Sequence, residues 1–230
     1  MKEQYEEQFA QFQKDVAEHA VTVLRDDGVY RHIRARCGDS YTYGFDVITW
    51  PGYLCYSGDV GCFVFSRLPD MFEFFRGRRT AMVDRGYLAE KAVATDKHDG
   101  IRRFSEDMFR AAVKDDFDAF VSAHDLSEAS AGELWALIEE DVFSYSDNLH
   151  DALNAVGCFR WAPDHLQAPR GYEVFPDFWE HRLEEYTPRF AWCCYAVPWA
   201  IEQYDALPCQ NDEPAQAVGA VARSAEASTE

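Results

Sequence analysis

Apolar residues near the start of the chain recur at spacings of three and four, with mostly polar residues between them. The set consists of Tyr5, Phe9, Phe12, Val16, Ala20 and Val23. Such spacing places one apolar stripe along a helix. The pattern therefore predicts a helix over about residues 3–25, which Asp26-Asp27-Gly28 ends.

After Gly28 the pattern becomes that of strands. Four segments either alternate apolar with polar residues or form apolar runs, and they are rich in β-branched and aromatic residues. The segments are 30–37, 41–50, 54–57 and 62–66. These features are typical of strands, and the glycines of Gly58-Asp59-Val60-Gly61 suit a tight turn between the last two. The pattern predicts a small antiparallel sheet of about four strands within residues 30–67.

The rest of the chain has mainly helical spacing. Helices are expected to begin near Asp70, at Ser105 and at Ser127 or Ser130, and also to cover 87–93, 150–156, 178–186 and 188–201. The fold class is therefore α+β, with the sheet packed against a mainly helical remainder. One domain is expected over residues 1–207. Residues 208–230 have few large apolar side chains and are predicted to form a disordered tail.

Composition narrows the classes of function. Apolar residues make up 47% of the chain, yet no apolar run is long enough to span a membrane, and the first residues lack the apolar stretch of a signal peptide. The expected location is the cytoplasm. The net charge of −19 argues against general affinity for nucleic acid or an anionic membrane.

The negative charge is concentrated in the second half of the chain. Residues 104–207 carry a net charge of −15, whereas residues 25–103 carry +2. The candidate partner-binding residues are Asp115, Asp116, Asp118, Glu139, Glu140 and Asp141. Carboxylates arrayed on rigid helices can imitate the phosphates of a nucleic-acid duplex and occupy a partner's basic groove. The competing interpretation is an acidic face that only favours solubility.

A second hypothesis places a small-molecule pocket beside the sheet. Its candidate lining consists of Arg31, His32, Arg34, Trp50, Asp59 and Arg67. Guanidinium groups grip phosphate or carboxylate in a fork, so the ligand would be a nucleotide or another phosphorylated molecule. The competing interpretation is a strand edge with solvated charges, and a turn aspartate that hydrogen-bonds its own backbone.

The sequence contains no recognised catalytic or metal-binding signature. The motifs of serine hydrolases, zincins and P-loop proteins do not occur, which favours a non-catalytic protein over an enzyme. Asp177 and His181 are the best local metal ligands, but a site needs more than two, so neither metal nor cofactor is predicted. The seven cysteines contain no C-x-x-C pair, and Cys193 and Cys194 are expected in the core as free thiols.

Several segments carry a family resemblance. They are Phe45–Cys55, Gly58–Arg67, Asp70–Arg76, Asp177–His181 and Tyr186–Ala196. Together they resemble uncharacterised proteins of tailed bacteriophages and prophages, over most of residues 10–205. The resemblance implies a phage origin and an accessory role, and it assigns no chemistry to any residue.

Three functions follow as hypotheses. The first is a non-catalytic accessory protein in the infected bacterium that binds, and modulates or inhibits, a host protein complex through its acidic surface. This complex would handle nucleic acid or defend against phage. The second is a binder or enzyme of a phosphorylated small molecule, and the third is a minor virion component. A homo-oligomer is compatible with all three.

Overall fold

A computed structural model of the chain describes residues 2–76, 83–162 and 171–208. The predicted C-terminal tail lies outside the described residues apart from Pro208.

The main sheet is antiparallel, and its strands follow one another in chain order. They are β1 (Ala20–Asp27), β2 (Tyr30–Arg36), β3 (Phe45–Trp50), β4 (Tyr53–Gly58), β5 (Gly61–Ser66) and β6 (Ala92–Ala94). The four predicted strands correspond to β2 through β5, and the α+β class is confirmed. The edge strands β1 and β6 were not predicted. Gly58 faces Phe45 in the ladder, and an added Cβ there would lie 2.4 Å from the carbonyl oxygen of Gly44.

The predicted helix over residues 3–25 is wrong beyond Asp15. Helix α1 covers Lys2–Asp15, and the chain then turns into β1. Val21 and Val23 pair with Ala35 and Ile33 of β2 and point to the core side of the sheet. β-Branched residues favour a strand when a neighbouring strand is available, so long-range pairing outweighs the helical spacing.

The helices after the sheet largely follow the prediction. They are α2 (Met71–Phe75), α3 (Arg85–Lys91), α4 (Glu106–Ala123), α5 (Glu128–Asp141), α6 (Leu149–Cys158) and α7 (Pro188–Asp205). Ser105 caps α4 and Ser127 caps α5. The predicted helix over 178–186 is wrong after a short 3₁₀ turn at Phe178–Glu180. There β8 (Glu184–Tyr186) instead pairs with β7 (Arg102–Phe104) in a two-stranded sheet.

The first hydrophobic core lies on one face of the main sheet. Helices α1, α2, α3 and α7 cover this face, and α7 supplies the largest share of buried residues. The ring of Phe12 on α1 packs against that of Trp192 on α7, with centroids 5.2 Å apart. Cys193 and Cys194 are buried there as predicted, and burial raises the pKa of both thiols.

A second hydrophobic core is built by α4, α5, α6 and the described part of residues 159–183. The chain enters this helical unit from β7 and leaves it through β8. The backbone N–H of Ser105 donates to the carbonyl of Leu183 at 2.9 Å, which holds the two ends of the unit together. The single domain expected over residues 1–207 stays a prediction.

Within the described ranges, none of the helices has the combination of length and apolar character that a membrane crossing requires.

Candidate functional site: an acidic cleft

The six residues of the predicted small-molecule pocket are distributed over both faces of the sheet. Arg31 lies toward the core side, where it donates two hydrogen bonds to Asp70, of 2.8 and 3.0 Å. Its guanidinium also lies over the ring of Phe72, 4.7 Å from the centroid. Arg31 therefore ties β2 to the start of α2, and its positive charge is already paired.

His32 and Arg34 lie on the opposite, uncovered face of the sheet. Both contact Asp46 on β3, with Nε2 of His32 2.8 Å from one carboxylate oxygen and Arg34 donating to both oxygens at 2.8 Å. Burial of the Asp46 carboxyl raises its pKa, but the hydrogen bonds from Arg34 and His32 lower it by more, so the pKa lies below its ordinary value. The structure brings these three together as a neutralised cluster.

Trp50 and Asp59 lie at opposite ends of the β3–β4 hairpin, roughly 17 Å apart along the strands. Trp50 stacks on Tyr53, and the Asp59 carboxylate accepts a hydrogen bond from the backbone N–H of Tyr43 at 2.9 Å. Arg67 is exposed just after β5. The six residues therefore do not converge on one site.

A cavity on the uncovered face of the sheet is lined in part by Arg34, one of the six predicted residues. It has a volume of about 430 Å³, and Arg34, Arg36 and Tyr41 are among the residues that line it. The guanidinium of Arg36 lies 4.2 Å from the centroid of the Tyr41 ring. Binding of a phosphorylated molecule by Arg34 stays a prediction.

The predicted acidic residues of α4 have different environments. Asp115 is exposed, and Asp118 pairs with Lys114 one turn earlier on the same helix. Asp116 is half-buried and lies 3.0 Å from Nε2 of His181. His181 thus contacts Asp116 on α4. Over the part of the chain that the structure describes, no group of three or more His, Cys, Asp or Glu residues could hold a metal ion.

The two acidic segments lie on neighbouring helices. Ring contacts join Phe117 to Trp135 at 4.9 Å and Phe109 to Phe143 at 5.9 Å, so α4 and α5 run antiparallel. The pair of helices and their connection, residues 106–141, contains eleven acidic and two basic residues. Both bases form ion pairs within α4, Arg110 with Glu106 and Lys114 with Asp118. The surface therefore retains most of its negative charge.

Of the three predicted acidic residues of α5, one borders a cleft at the C-terminal end of this helix. Glu139 accepts a hydrogen bond from the indole N–H of Trp135 at 2.9 Å, and Glu140 is exposed. Asp141 lines a cleft of about 730 Å³ together with Asp147 and Asp151. These last two carboxylates were not among the predicted residues. We refer to Asp141, Asp147 and Asp151 with their surroundings as the acidic cleft.

The geometry of α6 fixes one carboxylate of the acidic cleft. Asn148 caps α6 by accepting from the N–H of Asp151 at 3.1 Å, and its amide donates to the Asp151 carboxylate at 2.7 Å. An Asn followed three residues later by an acid is a helix-start signature, so the sequence did contain a signal for Asp151. The convergence with Asp141 required the tertiary structure, because it depends on how α5 and α6 pack.

Few basic residues balance the negative charge of the acidic cleft. Neither Asp141 nor Asp147 forms an ion pair or a side-chain hydrogen bond with a residue in the described ranges. Arg160 also lines the cleft, but its Nη1 donates to the carbonyls of Gly157 and Phe159 at 3.0 and 2.7 Å. Its Nη2 lies 3.4 Å from the carboxylate of Glu173. Because its guanidinium contacts these backbone carbonyls and Glu173, Arg160 leaves the aspartates available for a ligand.

An aromatic ring completes the acidic cleft. Tyr145, on the 3₁₀ turn after α5, lines it and is 66% exposed. A lysine or arginine side chain of a partner can donate to the carboxylates and lie over this ring, because both interactions favour a cation. The arrangement is suited to binding a basic segment.

Comparisons with known proteins add no relative: no family model matches the chain, and neither a curated protein nor a solved structure is significantly similar to it.

Proposed function

We propose that the protein is a non-catalytic accessory protein that binds a basic surface of a partner protein. The acidic cleft takes a lysine or arginine side chain of the partner. The acidic faces of α4 and α5 lie against the surrounding basic surface.

The single observation that carries this proposal is the lack of basic partners for Asp141 and Asp147 within the described ranges. With three aspartates and one arginine in its lining, the cleft keeps a negative potential, which its walls concentrate. A cationic group that enters gains charge-assisted hydrogen bonds and relieves the mutual repulsion of the aspartates.

The kind of partner follows from the charge pattern and the sequence resemblance. Residues 106–141 present acidic residues on two rigid antiparallel helices, as a mimic of a nucleic-acid backbone requires. A phage-encoded factor that occupies the basic groove of a host nucleic-acid-handling or defence complex would use such a surface. The resemblance to phage and prophage proteins supports that choice.

The experiment measures binding of a fluorescently labelled oligo-arginine peptide to the intact protein and to an Asp141→Asn/Asp147→Asn variant. Asp151 is left unchanged because it stabilises the start of α6. We expect the variant to bind at least about tenfold more weakly, because each lost charge-assisted contact is worth about 1.5–3 kcal/mol. Binding by the unaltered protein should also weaken between about 50 and 500 mM salt.

The control is a Glu6→Gln/Glu7→Gln variant, which changes the net charge equally on exposed positions of α1. It should bind the peptide as the unaltered protein does. The same three proteins serve as bait in pull-downs from infected cells at low and high salt, with mass spectrometry of the retained proteins. Equal weakening in both variants would show that only overall charge matters and would refute the cleft.

A further inference from the structure

A buried arginine on α3 has no acidic partner in the described part of the chain. Arg85 is only 6% exposed, and no described carboxylate lies within ion-pair distance of it. Its Nη2 donates to the Tyr195 hydroxyl at 2.6 Å, and its guanidinium lies 4.2 Å from the centroid of the Tyr5 ring. Its Nε is buried and has no hydrogen-bond partner among the described residues. A buried cation without a counter-ion is costly, so this position favours an anion that the described residues do not supply.

Arg85 lines a cavity of about 430 Å³ at the junction of the two hydrophobic cores. Helix α1 supplies Tyr5 and Gln8, and the chain leading into and through β8 supplies Arg182, Glu185 and Tyr186. Arg182 brings a second guanidinium to the lining, where its Nε donates to the carbonyl of Glu184 at 3.3 Å and the group lies 5.5 Å from the centroid of the Tyr186 ring. The side-chain oxygen of Gln8 is also buried, and no described residue is its hydrogen-bond partner. The Gln8 amide can turn to present either its oxygen or its NH₂ group.

The N-terminus of α4 borders the same cavity. Ser105, Asp107 and Met108 line it, and α4 is 18 residues long, so its first turn contributes a partial positive charge. Of the two acids in the lining, Glu185 is paired with Arg103 at 2.7 Å. Asp107 is the remaining acidic residue of the lining, and its single negative charge offsets only part of the positive charge of the two arginines.

We propose that this cavity binds a small organic molecule with an oxyanion head group, a phosphate monoester or a carboxylate. Arg85 and Arg182 hold the head group, because guanidinium N–H groups match such oxygens. Tyr5, Tyr186 and Met108 contact the apolar body of the ligand. This site is separate from the acidic cleft, and its ligand has the opposite charge.

The test follows the melting temperature of the intact chain with phenyl phosphate, benzoate and inorganic phosphate. A ligand that binds only the folded state raises the melting temperature, by about 5 °C or more at a hundredfold excess over its Kd for a chain of this size. We expect phenyl phosphate or benzoate to act in this way and inorganic phosphate to act more weakly, because it has no apolar body. Titration calorimetry of the better ligand then gives its Kd.

Two variants near Arg85 should change the affinity in opposite directions. Arg182→Ala removes a cation from an exposed position and should weaken binding about tenfold, whereas Asp107→Asn should strengthen it about fivefold. Arg25→Ala, on an exposed residue of β1, should leave the Kd unchanged. Arg85→Lys completes the series, and the proposal does not depend on whether that variant folds.

Three outcomes would overturn the proposal. The first is no stabilisation by any of the three compounds. The second is equal stabilisation by inorganic phosphate and phenyl phosphate, which would mean that the apolar lining takes no part. The third is an unchanged Kd in both Arg182→Ala and Asp107→Asn. The oligo-arginine experiment is independent of all three, so this proposal and the proposed function can fail separately.

Discussion

At the scale of single residues, the arginines of β2 stabilise the fold by pairing with aspartates on neighbouring elements. Arg31 holds Asp70, the cap of α2, while Arg34 and His32 hold Asp46 across the β2–β3 ladder. The sequence alone left open whether these cations face a ligand or form a strand edge with solvated charges. A fork of guanidinium N–H groups binds an internal carboxylate as well as an external one, so residue type alone could not decide between them.

The Arg31–Asp70 pair predicts how stability depends on pH. Burial raises the pKa of Asp70, but the hydrogen bonds from Arg31 and from the Phe72 N–H lower it by more, so the folded pKa lies below the unfolded one. The stabilisation is therefore complete above the unfolded pKa, near 4, and is lost as the pH falls through the folded pKa. Asp70→Asn keeps a good helix cap and should cost about 2 kcal/mol at pH 7.

Urea unfolding at pH 7, 5 and 3 measures this effect, with Glu7→Gln on the exposed side of α1 as control. The difference between Asp70→Asn and the unaltered protein should shrink as the pH approaches 3. A difference that stays constant over this range would show that the ionised pair is not its source.

At the scale of elements, the junction between β8 and α7 is fixed by one buried residue. Thr187 caps α7, its hydroxyl accepting from the N–H of Phe190 at 3.2 Å and donating to the carbonyl of Gly100 at 3.1 Å. Its own N–H donates to the carbonyl of Ile101 at 3.0 Å. These bonds attach the start of α7 to the segment before β7.

Thr187→Ala should lower the free energy of unfolding by about 1–2 kcal/mol, because it removes a cap and leaves the Gly100 carbonyl without its donor. Thr187→Ser keeps the hydroxyl and is the matched control. Urea unfolding of both variants checks the prediction. If Ser is as destabilising as Ala, methyl packing rather than capping stabilises this junction.

At the scale of the whole molecule, two hydrophobic cores share one chain. The helical unit lies between β7 and β8, and the pairing of these strands keeps its entry and exit adjacent. A unit inserted through neighbouring ends can open without pulling the sheet apart, because few backbone connections cross between them. The cavity at Arg85 lies where the two cores meet.

Matched truncations in the two cores should therefore have local effects. Phe109→Ala in the helical core and Phe63→Ala in the sheet core each remove a fully buried ring, at a cost of about 3–5 kcal/mol. Hydrogen exchange should show protection lost mainly in α4–α6 for the first variant and mainly in β2–β5 for the second. Uniform loss over both cores in either variant would show that they unfold as one cooperative unit.

The sequence by itself determined the features that depend on nearby residues. Alternation in the first strand and apolar, β-branched and aromatic runs in the others predicted β2 through β5. The serines before α4 and α5 marked where those helices begin, because strand patterning and capping act over a few positions. The concentration of acidic residues on α4 and α5 was also readable, since charge needs only composition and helical spacing.

Only the tertiary structure decided the features that depend on distant partners. Residues 20–27 form β1 because they pair with the edge of β2. Glu184–Tyr186 forms β8 because it pairs with β7. The acidic cleft and the cavity at Arg85 likewise form where separate elements pack together. Local propensity is worth at most about 1 kcal/mol per residue, so long-range pairing and burial decide such segments.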